Sequence, residues 1–256
     1  MKKVLLKNGI QTAAAIVVLL TVWLIAYFSI GNPLVVPSPW ESLGKLGWLF
    51  QNSGFWTGFL FTLGRTLLAF AISFILAVIF AVISYLYPTF AGIFTPIASA
   101  FRSLPVLAVV LILLSVLGAG SAPVAVAFLS LFPMLYTGVL AALKGIDRHL
   151  IEVGKVYGAS WWARVWRVYC PLASPYVLRE AGGAISFSLK LVVSAEIVAR
   201  TARGLGGMMQ EAKVWGELPQ LFALVILVFA IGLILELAMT AVAEKAEIWV
   251  RNAEDE

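Results

Sequence analysis

The sequence predicts an all-α membrane protein whose helices cross the bilayer six times. Of its 256 residues, 62% are hydrophobic and 12% are charged, whereas a soluble domain has about 45–50% apolar and about 25% charged residues. Six apolar runs are also long enough to span a bilayer, because crossing its hydrocarbon core takes about 20 helical residues. They cover about residues 12–30, 55–86, 93–117, 124–143, 174–199 and 218–242. We expect these spans to form a single domain over residues 1–256.

The first run differs from a cleaved signal peptide, although the basic segment MKKVLLK precedes it. A signal peptide has an apolar core of about 7–15 residues and ends at a cleavage site of small residues. The run at residues 12–30 is longer, and the segment SIGNPLVVPSP at its end makes a poor cleavage site. We therefore predict a retained first membrane helix.

The segments between the early spans predict short or broken helices. Residues 40–52 alternate apolar and polar side chains, which predicts an interfacial helix with Trp40 and Trp48 at the lipid headgroups. The third run begins with TPIASAFRSLP, whose two prolines and one arginine predict an interfacial or broken start. The segment GAGSAP predicts a tight turn into the fourth span.

The distribution of basic residues predicts that both ends of the chain face the cytosol. Six spans place the two ends on the same side, and Lys and Arg are enriched in cytosolic loops. With a cytosolic N-terminus, the cytosolic segments contain eleven Lys and Arg residues, and the outer segments contain four. The polar loop 144–173 is then the largest cytosolic feature of the chain.

This loop contains the basic, Trp-rich segment EVGKVYGASWWARVWRVYCP. Residues 147–157 predict a short helix, and Gly158 permits a sharp change of direction. Ser160 is suited to cap a second helix, WWARVWRVY, which Pro171 is expected to end. The loop is thus predicted to form a helix–turn–helix elbow on the cytosolic membrane face.

Lipid contact accounts for only part of this composition. Trp162 and Trp166 are four residues apart and share a helix face, so they suit the membrane interface, and the neighbouring arginines suit anionic lipid. Lipid contact does not account for the two glycines, Gly154 and Gly158, that precede them. Small residues at these positions would let another protein surface approach closely.

The spacing in this loop resembles a motif of the membrane subunits of ABC-type importers, E-A-A, three residues, G, nine residues, I, one residue, L-P. Glu152, Gly158 and Pro171 fall at the matching positions, with Val-Gly in place of Ala-Ala. Val168 stands in place of Ile and Cys170 in place of Leu. The loop also lies where that family has it, between the fourth and fifth spans.

Four further segments resemble the nitrate/sulfonate/taurine branch of these importers, and together the resemblance covers about residues 33–245. They are LVVPSPWESL after the first span, FRSLPVLAVVLILLSVLGAG at the third, LFPMLYTGVLAALKGID before the loop and GLGGMMQEA after the fifth span. The loop after the second span, YPTFAG, departs from the branch because it lacks basic residues.

The resemblance implies a type I importer permease of the bacterial inner membrane, in which the loop forms a coupling helix that docks on a separate ATPase subunit. The residues expected to contact the ATPase are Glu152, Gly154, Tyr157, Gly158, Ala159 and Ser160. The chain lacks a G-x-x-x-x-G-K-[ST] phosphate loop, so ATP and Mg are expected in the partner. The other implied partners are a second copy of the chain and a periplasmic or lipid-anchored solute-binding protein.

Polar residues inside the fifth predicted span are candidates for a translocation path. Lys190 lies deep in the span, and Ser186 and Ser194 lie four residues to either side of it, on one stripe. An ionisable group within a membrane span is a functional candidate, and this stripe would suit an anionic solute. The same pattern also fits a seam of small residues that packs helices together.

Two charged residues mark the outer end of the fifth span. Glu196 and Arg200 have the spacing of an ion pair on one helix, and mutual pairing is the favoured interpretation. A gate at the outer mouth is the alternative. Arg65, near the outer end of the second span, is expected to extend its guanidinium to the membrane surface.

The sequence argues against other functional classes. A secondary transporter driven by an ion gradient remains the alternative, but the sequence shows no inverted repeat. No nucleophile–base pair is apparent, so an intramembrane enzyme is not expected, and one Cys and one His make a metal site improbable. Nothing predicts nucleic-acid binding. The branch suggests nitrate, sulfonates, taurine or a vitamin precursor as the solute, without choosing among them.

Overall fold

The structure, a computed structural model, describes residues 2–147, 149, 152 and 160–254, and this part of the chain consists of helices joined by short connections, without a strand. The all-α prediction is therefore confirmed. The helices are α1 (Lys2–Ile30), α2 (Pro39–Gln51), α3 (Ser53–Leu86), α4 (Pro88–Arg102), α5 (Val106–Lys144), α6 (Trp161–Arg164), α7 (Cys170–Ala199), α8 (Leu205–Val214) and α9 (Leu218–Glu254).

Four helical segments among the described residues are long and apolar enough to cross a membrane. They are Ser53–Leu86, Val106–Lys144, Trp161–Ala199 and Leu218–Ala246. A shorter apolar stretch, Ile16–Ile30, forms the second half of α1 and corresponds to the first predicted span. These segments contain five of the six predicted spans, and the exception is the third.

The third predicted span, residues 93–117, is two helices rather than one. Helix α4 ends at Arg102, and α5 begins after Pro105, which has no N–H to continue a helical ladder. The predicted break is therefore confirmed. Helix α5 continues past the predicted end of the span, but Gly118 kinks it, with φ 73° and ψ 171°. This positive φ, which glycine adopts without steric cost, confirms the predicted turn at GAGSAP.

The interfacial helix predicted at residues 40–52 is α2. Ser38 caps it by accepting a hydrogen bond from the Glu41 N–H. Trp40 and Trp48 are about half exposed, as expected for aromatic side chains at a membrane interface. An ion pair of 3.2 Å between Lys45 Nζ and Glu217 Oε2 connects α2 to the turn before α9.

Helices α3, α5 and α7 form the centre of the bundle. The buried face of α3 consists mainly of small residues at three- and four-residue spacing, which lets the neighbouring helices approach closely. Tyr136 of α5 is fully buried, and its hydroxyl lies 2.8 Å from Ser84 Oγ and 3.0 Å from Thr95 Oγ1. This cluster connects the middle of α4 to the C-terminal parts of α3 and α5.

The elbow before α7 is partly as predicted. Ser160 caps α6, accepting a hydrogen bond of 3.2 Å from the Ala163 N–H, and this prediction is confirmed. The prediction that Pro171 ends the helix was wrong. A π-helical turn (Val165–Tyr169) follows α6, and the chain continues helically into α7. Pro171 lies in the first turn of α7, where proline is tolerated.

Candidate functional site on helix α7

Glu196 is a fully buried carboxylate near the C-terminal end of α7, the end predicted to face outward. Arg65 Nη1, on α3, donates to Glu196 Oε1 at 2.6 Å. Thr62 Oγ1, one helical turn away on α3, donates to Glu196 Oε2 at 2.8 Å. The same Oε2 accepts from the Gly206 N–H at 3.0 Å. A buried charge is stabilised only when it is paired and hydrogen-bonded, and Glu196 meets both conditions.

The same network holds the turn between α7 and α8. Thr62 Oγ1 accepts from the Leu205 N–H at 2.8 Å, and Arg65 Nη1 donates to the Arg203 carbonyl oxygen at 2.7 Å. A Cβ at Gly206 would collide with the carbonyl oxygen of Val193 and lie 2.5 Å from the Cβ of Glu196. Gly206 lets the start of α8 lie directly on α7. The network therefore connects three parts of the chain, which are α3, α7 and the turn that leads into α8.

Two predictions about these charges were wrong. Glu196 pairs with Arg65, not with Arg200, and Arg65 is mostly buried rather than extended to the membrane surface. The reason lies in the backbone. Arg200 ends the helix in the left-handed conformation, with φ 48° and ψ 50°, and the i, i+4 geometry requires both residues to lie within a helix.

The predicted depth in the membrane is the feature of the sequence that could have identified Arg65 as the partner of Glu196. Arg65 lies near the predicted outer end of the second span, and Glu196 lies near the predicted outer end of the fifth. A guanidinium inside hydrocarbon requires a counter-charge at the same depth. Thr62 could be anticipated in part, because it lies one turn before Arg65 on the same helix.

The structure divides the predicted translocation stripe into a buried and an exposed part. Ser186 is buried against α9, where a Cβ at Gly232 would lie 3.3 Å from its Oγ. Lys190 and Ser194 are exposed on the surface of the single chain. With Gly183 and Phe187 they follow an exposed face of α7 with three- and four-residue spacing. Their role in translocation remains a prediction.

The predicted coupling residues are only partly described. Glu152 is helical and exposed, and Ser160 is the helix cap described above. Gly154, Tyr157, Gly158 and Ala159 lie outside the described residues, as does most of the helix predicted at residues 147–157. Beyond Ser160, Trp162 and Trp166 are 69% and 68% exposed. The first end of the helical run Trp161–Ala199 therefore presents large aromatic surfaces that the single chain does not cover.

Residues 73–248 match the family model described as "Binding-protein-dependent transport system inner membrane component". The chain belongs to this family. The permease is 28% identical to the taurine transport system permease protein TauC of Escherichia coli (strain K12), over 239 residues that cover 91% of this chain and 86% of TauC.

Solved structures of importers have the same fold. The permease superposes on a chain of the MetNI methionine ABC transporter, in an inward-facing conformation, with a TM-score of 0.63 and 20% identity, covering 74% of this chain and 94% of that one. A second match is an amino acid ABC transporter, with a TM-score of 0.60 and 19% identity, covering 80% and 96%. The fold is therefore that of a type I ABC importer permease.

These findings confirm the resemblance to the importer permeases and to their taurine-like branch. The permease is the membrane subunit of an ABC importer, and the family implies ATP-binding subunits and a solute-binding protein as partners. Its membrane-length helices and its family imply a multi-pass protein of the inner membrane.

Proposed function

We propose that this permease forms the translocation path for a small solute that a solute-binding protein delivers on the outer side. Two separate ATP-binding subunits, which hold ATP and Mg, drive transport through the loop 144–173. Two copies of the permease form a homodimer, and the loop and both chain ends lie in the cytosol. The permease itself binds no cofactor and catalyses no reaction.

The family match over residues 73–248 carries this proposal, because that range includes both the loop and α7. The helical run Trp161–Ala199 suggests how movement would pass through the membrane. At 39 residues and 1.5 Å per residue it is about 58 Å long. It joins the loop 144–173 to the Glu196 network, which consists of Glu196, Arg65, Thr62 and the backbone of residues 203–206. In the proposed cycle, closure of the ATP-binding subunits moves the coupling helices, and the helical run transmits this movement to the outer end.

The proposed solute is a small anion such as nitrate, a sulfonate or taurine. Lys190 supports an anion, since it is an exposed cation within a membrane-length helix, and such a residue is a functional candidate. The similarity to a taurine permease agrees with this class. A vitamin precursor is the second candidate, suggested by the relatives of this branch.

Reconstituted transport tests the proposal. Vesicles would contain the permease with its ATP-binding subunits and internal ATP, and the binding protein would be added outside with labelled taurine, nitrate or an alkanesulfonate. We expect uptake that requires ATP and the binding protein. Gly158→Asp should lower uptake while ATP hydrolysis continues, and His149→Asp, which places the same side chain on the same loop, should not.

The outcomes separate the two classes of transporter. Uptake driven by an ion gradient, with the permease alone in the vesicle, would contradict the proposal and support a secondary transporter. Equal uptake by wild type and the Gly158→Asp variant would contradict the assignment of the loop. ATP-dependent uptake of an uncharged flavin, with no competition by anions, would replace the anion with a vitamin precursor and leave the coupling mechanism intact.

A further inference from the structure

An open groove of about 900 Å³ lies between α3 and the second half of α5, on the surface of the bundle. Its two walls are stripes with four-residue spacing, which are Gly64, Leu68 and Ile72 on α3, and Gly120, Val124 and Phe128 on α5. The kink at Gly118 lies at the start of the second wall. A Cβ at Gly64 or Gly120 would meet no atom within 4 Å, so the glycines widen the groove and do not pack helices.

One end of the groove is cationic. Phe61 lines it, and two guanidinium groups lie over the Phe61 ring, with Cζ of Arg65 5.7 Å and Cζ of Arg203 5.4 Å from the ring centroid. Glu196 neutralises Arg65. The exposed side chain of Arg203 has no carboxylate or hydrogen-bond partner among the residues that the structure describes. The groove therefore begins at the positive charge of Arg203, which no carboxylate of the described residues balances.

The dimensions of the groove match one leaflet of a bilayer. From Phe61 to Ile72 the wall on α3 covers eleven residue steps, or about 16 Å at 1.5 Å per residue. Half of a hydrocarbon core about 30 Å thick is about 15 Å. A molecule with an anionic head and an extended apolar tail would place the head at Arg203 and the tail along the walls, and a guanidinium forms strong charge-assisted hydrogen bonds with a phosphate.

We propose that this groove is a binding site for an anionic phospholipid. The phosphate lies beside the guanidinium of Arg203 and the free edge of Arg65, and one acyl chain lies between the stripes that begin at Gly64 and Gly120. Because Arg65 and the carbonyl oxygen of Arg203 also belong to the Glu196 network, the bound lipid would contact the turn that this network holds.

Native mass spectrometry of the purified importer complex tests this site. The complex would receive phosphatidylglycerol or phosphatidylcholine with identical acyl chains, and the lipid retained would be counted. We expect wild type to retain more phosphatidylglycerol. Arg203→Gln should lower that retention about fivefold, the effect expected of one basic side chain beside anionic lipid. Lys213→Gln removes one positive charge at an exposed residue of α8 that does not line the groove, and it should have no effect.

A second variant tests the apolar walls. Gly64→Leu with Gly120→Leu fills the groove and should lower retention of both lipids, whereas Gly92→Leu, at an equally open helical glycine of α4, should not. Four results would overturn the proposal. The first is equal retention of the two lipids by wild type, and the second is a loss of phosphatidylglycerol in Lys213→Gln as large as that in Arg203→Gln. The third is displacement of the lipid by inorganic phosphate. The fourth is that filling the groove changes the number of subunits in the complex without changing lipid retention. The last result would assign the groove to a second copy of the chain.

Discussion

The two ends of the helical run Trp161–Ala199 are built in opposite ways. At the Ala199 end, Glu196 is fully buried and accepts three hydrogen bonds, and the start of α8 lies tightly on the helix at Gly206. At the Trp161 end, a π-helical turn follows the first four helical residues, and Trp162 and Trp166 are more than two-thirds exposed. The buried charge of Glu196 is paired within the chain at the first end, whereas aromatic surface is left uncovered at the second.

This difference separates residues that maintain the fold from residues that are available to a partner. Removing a member of the Glu196 network should lower stability, because each member leaves another buried group unpaired. Exposed residues along the same helix, such as Lys190, should affect transport and leave stability unchanged. The largest losses of stability should therefore come from residues of the Glu196 network, and the smallest from exposed residues such as Lys190.

The largest effect is expected from Glu196→Ala, which leaves the Arg65 guanidinium mostly buried without its carboxylate. Breaking one side of a buried ion pair costs about 3–5 kcal/mol. Thermal unfolding in detergent should show a large loss of stability, and Arg200→Ala, at an exposed residue that does not pair with Glu196, should show none. Joint replacement of Arg65 and Glu196 by Met should recover part of the loss. Equal stability of Glu196→Ala and Arg200→Ala would contradict the ion pair.

Gly206→Ala is expected to cause the next largest loss of stability. The added Cβ collides with the carbonyl oxygen of Val193 and displaces the start of α8 from Glu196, and overpacking of this kind costs about 1–3 kcal/mol. Limited proteolysis between α7 and α8 should become faster. The matched variant Gly92→Ala, where the Cβ meets open space, should behave as wild type. Unchanged proteolysis in Gly206→Ala would show that the turn does not depend on this close approach.

Thr62→Val should have a smaller effect. The substitution keeps the shape but removes the hydroxyl between Glu196 Oε2 and the Leu205 N–H, and an unsatisfied buried group costs about 1–3 kcal/mol. Thr57→Val provides the control, because this exposed threonine of α3 bonds only to the Ser53 carbonyl oxygen of its own helix. The two melting temperatures should differ. If the two variants have the same melting temperature, the hydroxyl of Thr62 has no structural role.

Lys190→Gln should have the smallest effect on stability and a clear effect on transport. Lys190 is exposed in the single chain, so the melting temperature should not change. Uptake of an anionic solute should fall about tenfold, as expected when a hydrogen bond to a charged group worth about 1.5 kcal/mol is lost. Normal uptake would remove Lys190 from the translocation path, and a lower melting temperature would indicate a packing role.

The sequence predicted the features that depend on neighbouring residues. Ser160 as a helix cap, the break before Pro105 and the turn at Gly118 each follow from the chemistry of one or two residues, and all three are confirmed. The π-helical turn was not predicted, because it depends on the hydrogen-bond register of a whole helix rather than on Pro171 alone. The expectation that Pro171 ends the helix was therefore wrong, because the π-helical turn just before it changes the hydrogen-bond register of the helix.

The Glu196 network could not be found by local spacing. Arg65 and Glu196 are 131 residues apart in the chain, whereas the i, i+4 rule considers only one helix and selected Arg200. Thr62 and the backbone N–H groups of Leu205 and Gly206 carry no charge, so their part in the network appears only in three dimensions. The exposed groove between α3 and α5 was likewise not predicted, because it arises from the relative position of two helices.

Co-purification with the ATP-binding subunit tests most directly whether the loop 144–173 couples this permease to ATP. The permease would be expressed with the ATP-binding subunit encoded beside it and extracted in mild detergent. We predict that wild type and His149→Arg retain the subunit, and that joint replacement of Glu152 and Gly158 by Arg releases it while the melting temperature of the permease is unchanged. Retention of the subunit by the double variant, or its absence from wild type, would contradict the account.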